Sequence, residues 1–287
     1  MSKELDKILE ATLRRLERLL PPLPPPTDWK ASIAFRWRKS ARGGWLQPVR
    51  HVHRMKLSDL QGIGTQIGKV EQNTRQFLEG RPANNVLLTG ARGTGKSSIV
   101  KGLLNKHHKQ GLRLIEVEKS DLMDLPSIVD SVAGRAERFI VFCDDLSFHG
   151  AEEGYIALKV ALDGSISTTA ENMLIYATSN RRHLMPEYMA ENLETKYIGD
   201  EIHPGETVEE KISLSERFGV WVTFYPFDQD EYLAIVAHWL KSFDCSAREI
   251  QDSKEQALQW SLQRGSRSGR VAYQFARDWA GQHAKKK

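Results

Sequence analysis

The stretch GARGTGKSS, Gly90 to Ser98, constrains this chain more than any other. It fits G-x-x-x-x-G-K-[ST] at every position. An apolar run, Asn85 to Thr89, precedes it, and a helical pattern from about Lys96 to Lys109 follows. Gly90, Gly93 and Gly95 let the backbone curl and turn N–H groups inward as an anion nest. A helix beginning there directs its positive end at the same point. The spacing assigns Lys96 to the β- and γ-phosphates of a nucleotide and the Ser97 hydroxyl to Mg²⁺. Ala91, Arg92, Thr94 and Ser98 complete the phosphate-binding segment. The plain alternative, a glycine-rich turn with a chance Lys-Ser, does not account for a strand and a helix in register on either side.

A second feature belongs with the first. FIVFCDDLSF, Phe139 to Phe148, carries an apolar run directly into Asp144 and Asp145. In a phosphate-loop protein the cation is shared between the loop hydroxyl and an acid ending a neighbouring strand, which is the place of Asp144. Asp145 is then the candidate base for an attacking water. Its side chain is one carbon shorter than a glutamate, which limits its reach. A solvated strand end is the bland reading of the pair.

Strand and helix signals alternate around these motifs. Strands are expected at Arg113–Val117, Phe139–Cys143, Met173–Thr178 and Val220–Phe224, and helices at Pro126–Arg138, Glu153–Leu162 and Val208–Phe218. Such alternation predicts a parallel α/β sheet covered on both faces. After Tyr225-Pro226 only helical signals remain, beginning with Asp228 and Glu231 at capping-box spacing, and about three helices are expected. The chain divides accordingly into an N-terminal segment 1–58, an α/β domain 60–226 and a helical domain 227–287. The N-terminal segment starts with an amphipathic helical pattern over residues 3–20 and a stiff PPLPPP run over 21–26.

Composition adds limits. With 287 residues, 40% apolar and 27% charged, the chain has the makings of a sizeable core and is not mostly disordered. No apolar run is long enough to span a membrane, and two cysteines give no disulfide framework, so a cytoplasmic location is expected. Residues 1–60 hold 13 Lys/Arg against 6 Asp/Glu, leaving 28 against 31 in the remainder. Within residues 29–54, Trp29, Phe35, Trp37 and Trp45 interleave with Arg36, Arg38, Lys39 and Arg42. That pattern suits either nucleic acid, by stacking and phosphate contact, or aromatics docked on a protein surface with cations outward. The nine histidines lack cysteine or carboxylate partners at zinc spacing, and no G-x-S-x-G elbow occurs.

GARGTGKSS, FIVFCDDL, LIYATSN and LSERFG together resemble the AAA+ ATPases over about residues 60–284. SERFG is similar to the clade of replication initiators and helicase loaders. PANNVLLTGARGTGKSS and YATSNRRHL more closely resemble a bacterial family of AAA+ ATP-binding proteins known as a domain of unknown function. The resemblance implies a phosphate-loop core of sheet order 5-1-4-3-2, a C-terminal helical lid, and ATP with Mg²⁺ bound between them. It implies Asn180 as the polar residue sensing the γ-phosphate or attacking water, and Arg217 as a finger into a neighbouring subunit's site. It implies Arg270 as the lid's contact with nucleotide, with Arg267 a nearby competitor. Arg181 and Arg182 are further phosphate or subunit contacts in waiting, and Ile63 is an apolar wall for the base or a plain core contact.

The expectation is therefore an ATP-hydrolysing homo-oligomer, a hexameric ring being one form, that remodels a protein partner the sequence does not name. A non-hydrolytic ATP switch and a DNA-associated loader using the basic N-terminal segment stand as alternatives.

Overall fold

The computed structural model describes residues 9–10, 12, 25–148, 152–163, 171–181, 196–198, 201–203 and 214–283. Most of the helix expected over residues 3–20, of the PPLPPP run, of the 183–207 segment and of the helix expected over 208–218, with His149, Arg182 and the AKKK tail, lies outside them.

Nine strands are described: β1 Ala34–Ser40, β2 Gly43–Pro48, β3 Val86–Gly90, β4 Leu112–Glu116, β5 Arg138–Cys143, β6 Met173–Ser179, β7 Lys196–Ile198, β8 Glu201–His203 and β9 Val220–Phe224. Eight α-helices accompany them: α1 Gly64–Leu78, α2 Lys96–His107, α3 Leu125–Val132, α4 Glu153–Asp163, α5 Gln229–Ser242, α6 Ala247–Asp252, α7 Lys254–Gln263 and α8 Gly269–His283. Strands β7 and β8 form a separate hairpin, and the other seven make one sheet in the order β2-β1-β4-β5-β6-β3-β9.

The expected order 5-1-4-3-2 describes only part of that sheet. Read from β9, the run β9-β3-β6-β5-β4 has that connectivity, and β1 and β2 extend it beyond β4. Strand β1 is parallel to β4, with Arg36 opposite Glu116, and antiparallel to β2, with Trp37 opposite Leu46. The sheet therefore runs across the expected boundary at residue 58. The basic-aromatic stretch owes this to its own alternation. Phe35 and Trp37 point to one face and are buried with Ile115, Leu122 and Ile128. The Trp37 indole donates to Asp124 Oδ2 at 2.8 Å. The intervening cations meet carboxylates: Arg36 with Glu116 at 2.7 Å, Arg38 with Glu118 at 3.5 Å, and Lys39 with Asp124 at 3.0 Å and Asp121 at 3.4 Å.

Both faces of the sheet are covered, as a parallel sheet requires. Helices α3 and α4 contribute Ile128, Val132, Tyr155 and Leu158 to one core. Helices α1 and α2 contribute Val70, Phe77, Ile99 and Leu103 to the other, which continues without a break into Tyr232, Ile235, Phe275 and Trp279 of the C-terminal helices. The helix expected over 126–138 stops at Val132, because the chain turns at Gly134 with a φ of 71° before entering β5. The C-terminal region has four helices rather than about three: the helical signals after Ser246 divide at Ser253 into α6 and α7. The capping boxes Asp228/Glu231 and Ser246/Glu249 are both formed. No helix among the described residues is long and apolar enough to cross a membrane.

Since β1 is integral to the sheet, Trp37→Ala will cost about 3–5 kcal/mol in urea denaturation. Arg42→Ala, at an exposed turn, will stay within about 0.5 kcal/mol. Similar small losses for both would mean that β1 is not part of the cooperative core.

Candidate functional site

Strand β3 ends at Gly90, whose φ is 117°. A Cβ there would lie 2.0 Å from the Phe224 carbonyl oxygen on β9, so only glycine allows this approach. The Ala91 N–H donates to that same carbonyl at 3.0 Å, and Thr94 Oγ1 closes the loop onto the Ala91 carbonyl at 2.8 Å. Gly93 and Gly95 are also left-handed, at 73° and 105°. Helix α2 begins at Lys96 without a side-chain cap. Its first-turn N–H groups are thus left for an anion.

The side chains converge on this loop. Lys96 is buried, and its ammonium donates to the carbonyls of Gly90 (2.8 Å) and Ala91 (2.7 Å) and to Asn180 Oδ1 (3.1 Å). Burial pushes its pKa down to about 8, opposed by the nearby charges of Asp145 and Asp144 and assisted by Arg270 and Arg92. Ser97 Oγ donates to Asp144 Oδ1 at 2.6 Å. Asn180 also donates through Nδ2 to Asp145 Oδ1, so it links Lys96 to the second acid. Asp145 occupies the left-handed region at φ 53°. Asp and Asn tolerate that conformation far better than longer side chains do.

These groups open into a cleft of about 730 Å³. The lining combines the loop, Asp144, Asp145 and Asn180 with the apolar side chains of Leu60, Ile63, Phe227, Ile235, Trp239 and Tyr273. Five cationic side chains, Arg54, Arg92, Lys96, Lys101 and Arg270, face three carboxylates, Asp59, Asp144 and Asp145. A slot with an apolar wall, a hydrogen-bonding loop and surplus positive charge suits a ligand that carries both a ring and several negative charges. The paired oxygens of Ser97 and Asp144 are hard donors of the kind Mg²⁺ takes.

The sequence-derived candidates distribute unevenly. Arg92, Gly93, Thr94, Gly95, Lys96, Ser97, Ser98, Asp144, Asp145, Asn180, Ile63 and Arg270 all line the cleft. Gly90 and Ala91 act beneath it, through carbonyls that hold Lys96. Arg270 reaches the loop from α8, where its N–H donates to the Gly93 carbonyl at 3.2 Å, and Arg267 is not among the lining residues. Arg181 is also outside the lining. Arg217 is away from this cleft, with Nε donating to Asp163 Oδ1 at the end of α4.

Sequence reasoning missed several residues. Thr178 bonds both Asp144 and the backbone of Asp145. It stands near the end of β6, two positions before Asn180, and that spacing at a strand end was a usable signal. Trp239 and Tyr273, edge to face at 4.7 Å, form an aromatic wall from α5 and α8. Nothing in the sequence distinguishes them from core aromatics of amphipathic helices.

A family model described as "Protein of unknown function (DUF815)" matches residues 30–283. The chain belongs to this family. Among curated proteins no match is found. Among solved structures, a chain of the E. coli MS115-1 HORMA:CdnC:Trip13 complex is similar with a TM-score of 0.50 and 10% identity, over 77% of this chain and 90% of that one. A single-substitution variant of Thermotoga maritima RuvB gives a TM-score of 0.49 and 14% identity over 79% of this chain. This family member spans 64% of that RuvB chain. The T. maritima RuvB Holliday junction branch migration motor gives 0.42 and 12%, over 80% and 72% of the two chains. At such identities a likeness bears on the fold alone. The likeness to the Trip13-complex chain is one of α/β fold.

The site's geometry sets two expectations. Asp145→Glu will lower stability by about 1 kcal/mol, because the longer side chain is less tolerant of a left-handed residue, and Asp145→Asn will stay within about 0.5 kcal/mol. Equal stabilities in urea would remove the argument from backbone conformation. Cys143 is fully buried, and burial, then the Asp144 charge, pushes its pKa up to about 12. At pH 8 a thiol reagent will therefore modify only Cys245 in the native protein, and Cys143 only after denaturation. Rapid native labelling of a Cys245→Ser variant would contradict that burial.

Proposed function

We propose that this chain is a Mg²⁺-dependent AAA+ ATPase that couples ATP binding and hydrolysis to assembly and to remodelling of a protein partner. The observation that carries the reading is the convergence of Lys96, the Ser97–Asp144 pair and the Asp145–Asn180 pair at the uncapped start of α2. The motifs at the same positions support it.

Ser97 and Asp144 would hold Mg²⁺, which when bound offsets phosphate charge. Lys96 has carbonyl partners but no adjoining carboxylate bond, and a β,γ-phosphate is the anion that would restore its full charge. The loop N–H groups and the α2 terminus bind and orient the same phosphates. Asp145 accepts a proton from the attacking water, and Asn180 orients Asp145. Arg270 brings charge from α8 to the loop, so the helices after Phe227 serve as a lid that senses nucleotide. Ile63, Phe227, Trp239 and Tyr273 offer the base an apolar slot. Residues 60–226 and 227–287 are then the two working bodies, in a cytoplasmic protein.

Arg217 lies outside its own cleft, which supports a role in the cleft of a second copy. A homo-oligomer, with a six-membered ring as one form, follows from that reading, as does kinship with the initiator and loader clade through SERFG. A DNA-binding role for residues 29–54 gains no support, since Arg36, Arg38 and Lys39 are engaged by carboxylates. Deleting residues 1–58 would also remove β1 and β2 from the sheet, so it does not isolate such a role.

Turnover per subunit measured across a wide range of protein concentration tests the proposal. The wild type will rise with concentration, and Arg217→Ala will stay flat and lower by about 10³-fold. Asp145→Asn will retain ATP binding while losing about 10²-fold or more in turnover. Lys96→Ala will lose ATP affinity. Negligible wild-type turnover at every concentration, with ATP still bound, would replace hydrolysis by a non-hydrolytic switch.

A further inference from the structure

Thr178 lies near the end of β6 and is 2% exposed. Its hydroxyl donates to Asp144 Oδ1 at 2.6 Å and accepts from the Asp145 N–H at 2.8 Å. Its carbonyl accepts from the Leu146 N–H at 2.7 Å. One residue of β6 thus ties down three consecutive residues beyond the end of β5. Asp144 Oδ1 also receives the Ser97 hydroxyl, so this carboxylate is fixed in rotation by two donors, one from the loop helix and one from the sheet. With its single hydrogen given to Asp144 and a lone pair taken by Asp145, the threonine hydroxyl is occupied on both sides.

Those bonds have a backbone consequence. Asp145 is held at φ 53°, and in that conformation its short carboxylate meets Asn180. A buried group that holds a strained residue in place at a site is a recognised use of local strain. We propose that Thr178 is a positioning residue: its hydroxyl sets the Asp144 carboxylate for the cation and the left-handed turn that delivers Asp145. The bonds of the Thr178 hydroxyl are to the two acids, and its effect passes through them. The inference rests on the reading of the cleft as a site for ATP and Mg²⁺.

Valine has the shape of threonine, so Thr178→Val keeps the β-branched fit to β6 while removing both hydroxyl bonds. It leaves the Asp145 N–H without a partner and Asp144 with one donor fewer. The test uses the full chain as wild type, Thr178→Val and Thr178→Ser, with Thr178→Ala in place of the valine variant if that one aggregates. ATP affinity is measured twice, in EDTA and in excess Mg²⁺, and turnover is measured separately.

The wild type will bind ATP in EDTA and gain affinity with Mg²⁺. Thr178→Val will match it in EDTA to within about threefold, lose about tenfold or more of the Mg²⁺-dependent gain, and lose about tenfold or more in kcat. Thr178→Ser, which keeps the hydroxyl, will restore both. A valine variant with the wild-type Mg²⁺ gain and wild-type kcat would overturn the proposal. So would a loss of affinity already present in EDTA and not restored by serine, because that is what a purely structural role produces. A wild type that binds ATP under neither condition overturns the reading of the cleft itself, and is told apart from those outcomes before any variant is compared.

Discussion

The bond from Ser97 to Asp144, 2.6 Å long, joins a loop after β3 to the end of β5, two strands that are not neighbours. It exists because β6 lies between them in parallel register. Thr89 is opposite Ser179, and Cys143 is opposite Ala177, so all three strands finish at one level. Parallel strands carry their carboxyl ends to the same edge, and a crevice forms there. The Ser97–Asp144 bond, the Lys96–Asn180 contact and the Thr178 bonds all depend on that alignment. A shift of one residue in β6 would send Thr178 to the opposite face and break its bonds to both acids.

The sheet owes its width to residues that read as an appendage. The 29–54 stretch suited either a nucleic-acid surface or aromatics docked on protein with cations outward, and its spacing is that of a strand with one face buried, which agrees with the docked aromatics. Alternation over so few residues is a weak signal beside the charge excess of residues 1–60. What decided the matter was the partner: Glu116, Glu118, Asp121 and Asp124 come from a distant part of the chain and meet Arg36, Arg38 and Lys39 because β1 pairs with β4. The segment that follows β2 then leads back to the cleft, where Arg54, Asp59 and Leu60 form part of its wall. An N-terminal extension is in this way built into both the sheet and the site.

The cleft itself divides along similar lines. Its charged lining follows from contiguous motifs whose members lie close in sequence or at strand ends. Its apolar lining is assembled from Ile63, Phe227, Trp239 and Tyr273, which are far apart in the chain. The core of the sheet's α1 and α2 face runs on into α5 and α8. These helices are therefore tied by packing to the apolar lining and, through the Arg270 backbone N–H on the Gly93 carbonyl, to the glycine-rich loop.

The sequence by itself determined the α/β class, the glycine-rich loop that sets Lys96 and Ser97 at a helix start, the acid pair after an apolar strand with Asn180 beyond the next, and the helical ending of the chain. Each is a local pattern: a turn that only glycine permits, a strand period, a cap. Tertiary structure alone decided that β1 and β2 complete the sheet, that Arg270 rather than Arg267 reaches the loop, and that Arg217 lies outside its own cleft. It alone decided that Thr178 holds both acids. Those outcomes depend on pairing between strands and helices separated by tens of residues, and no local pattern records which distant partner a side chain will meet.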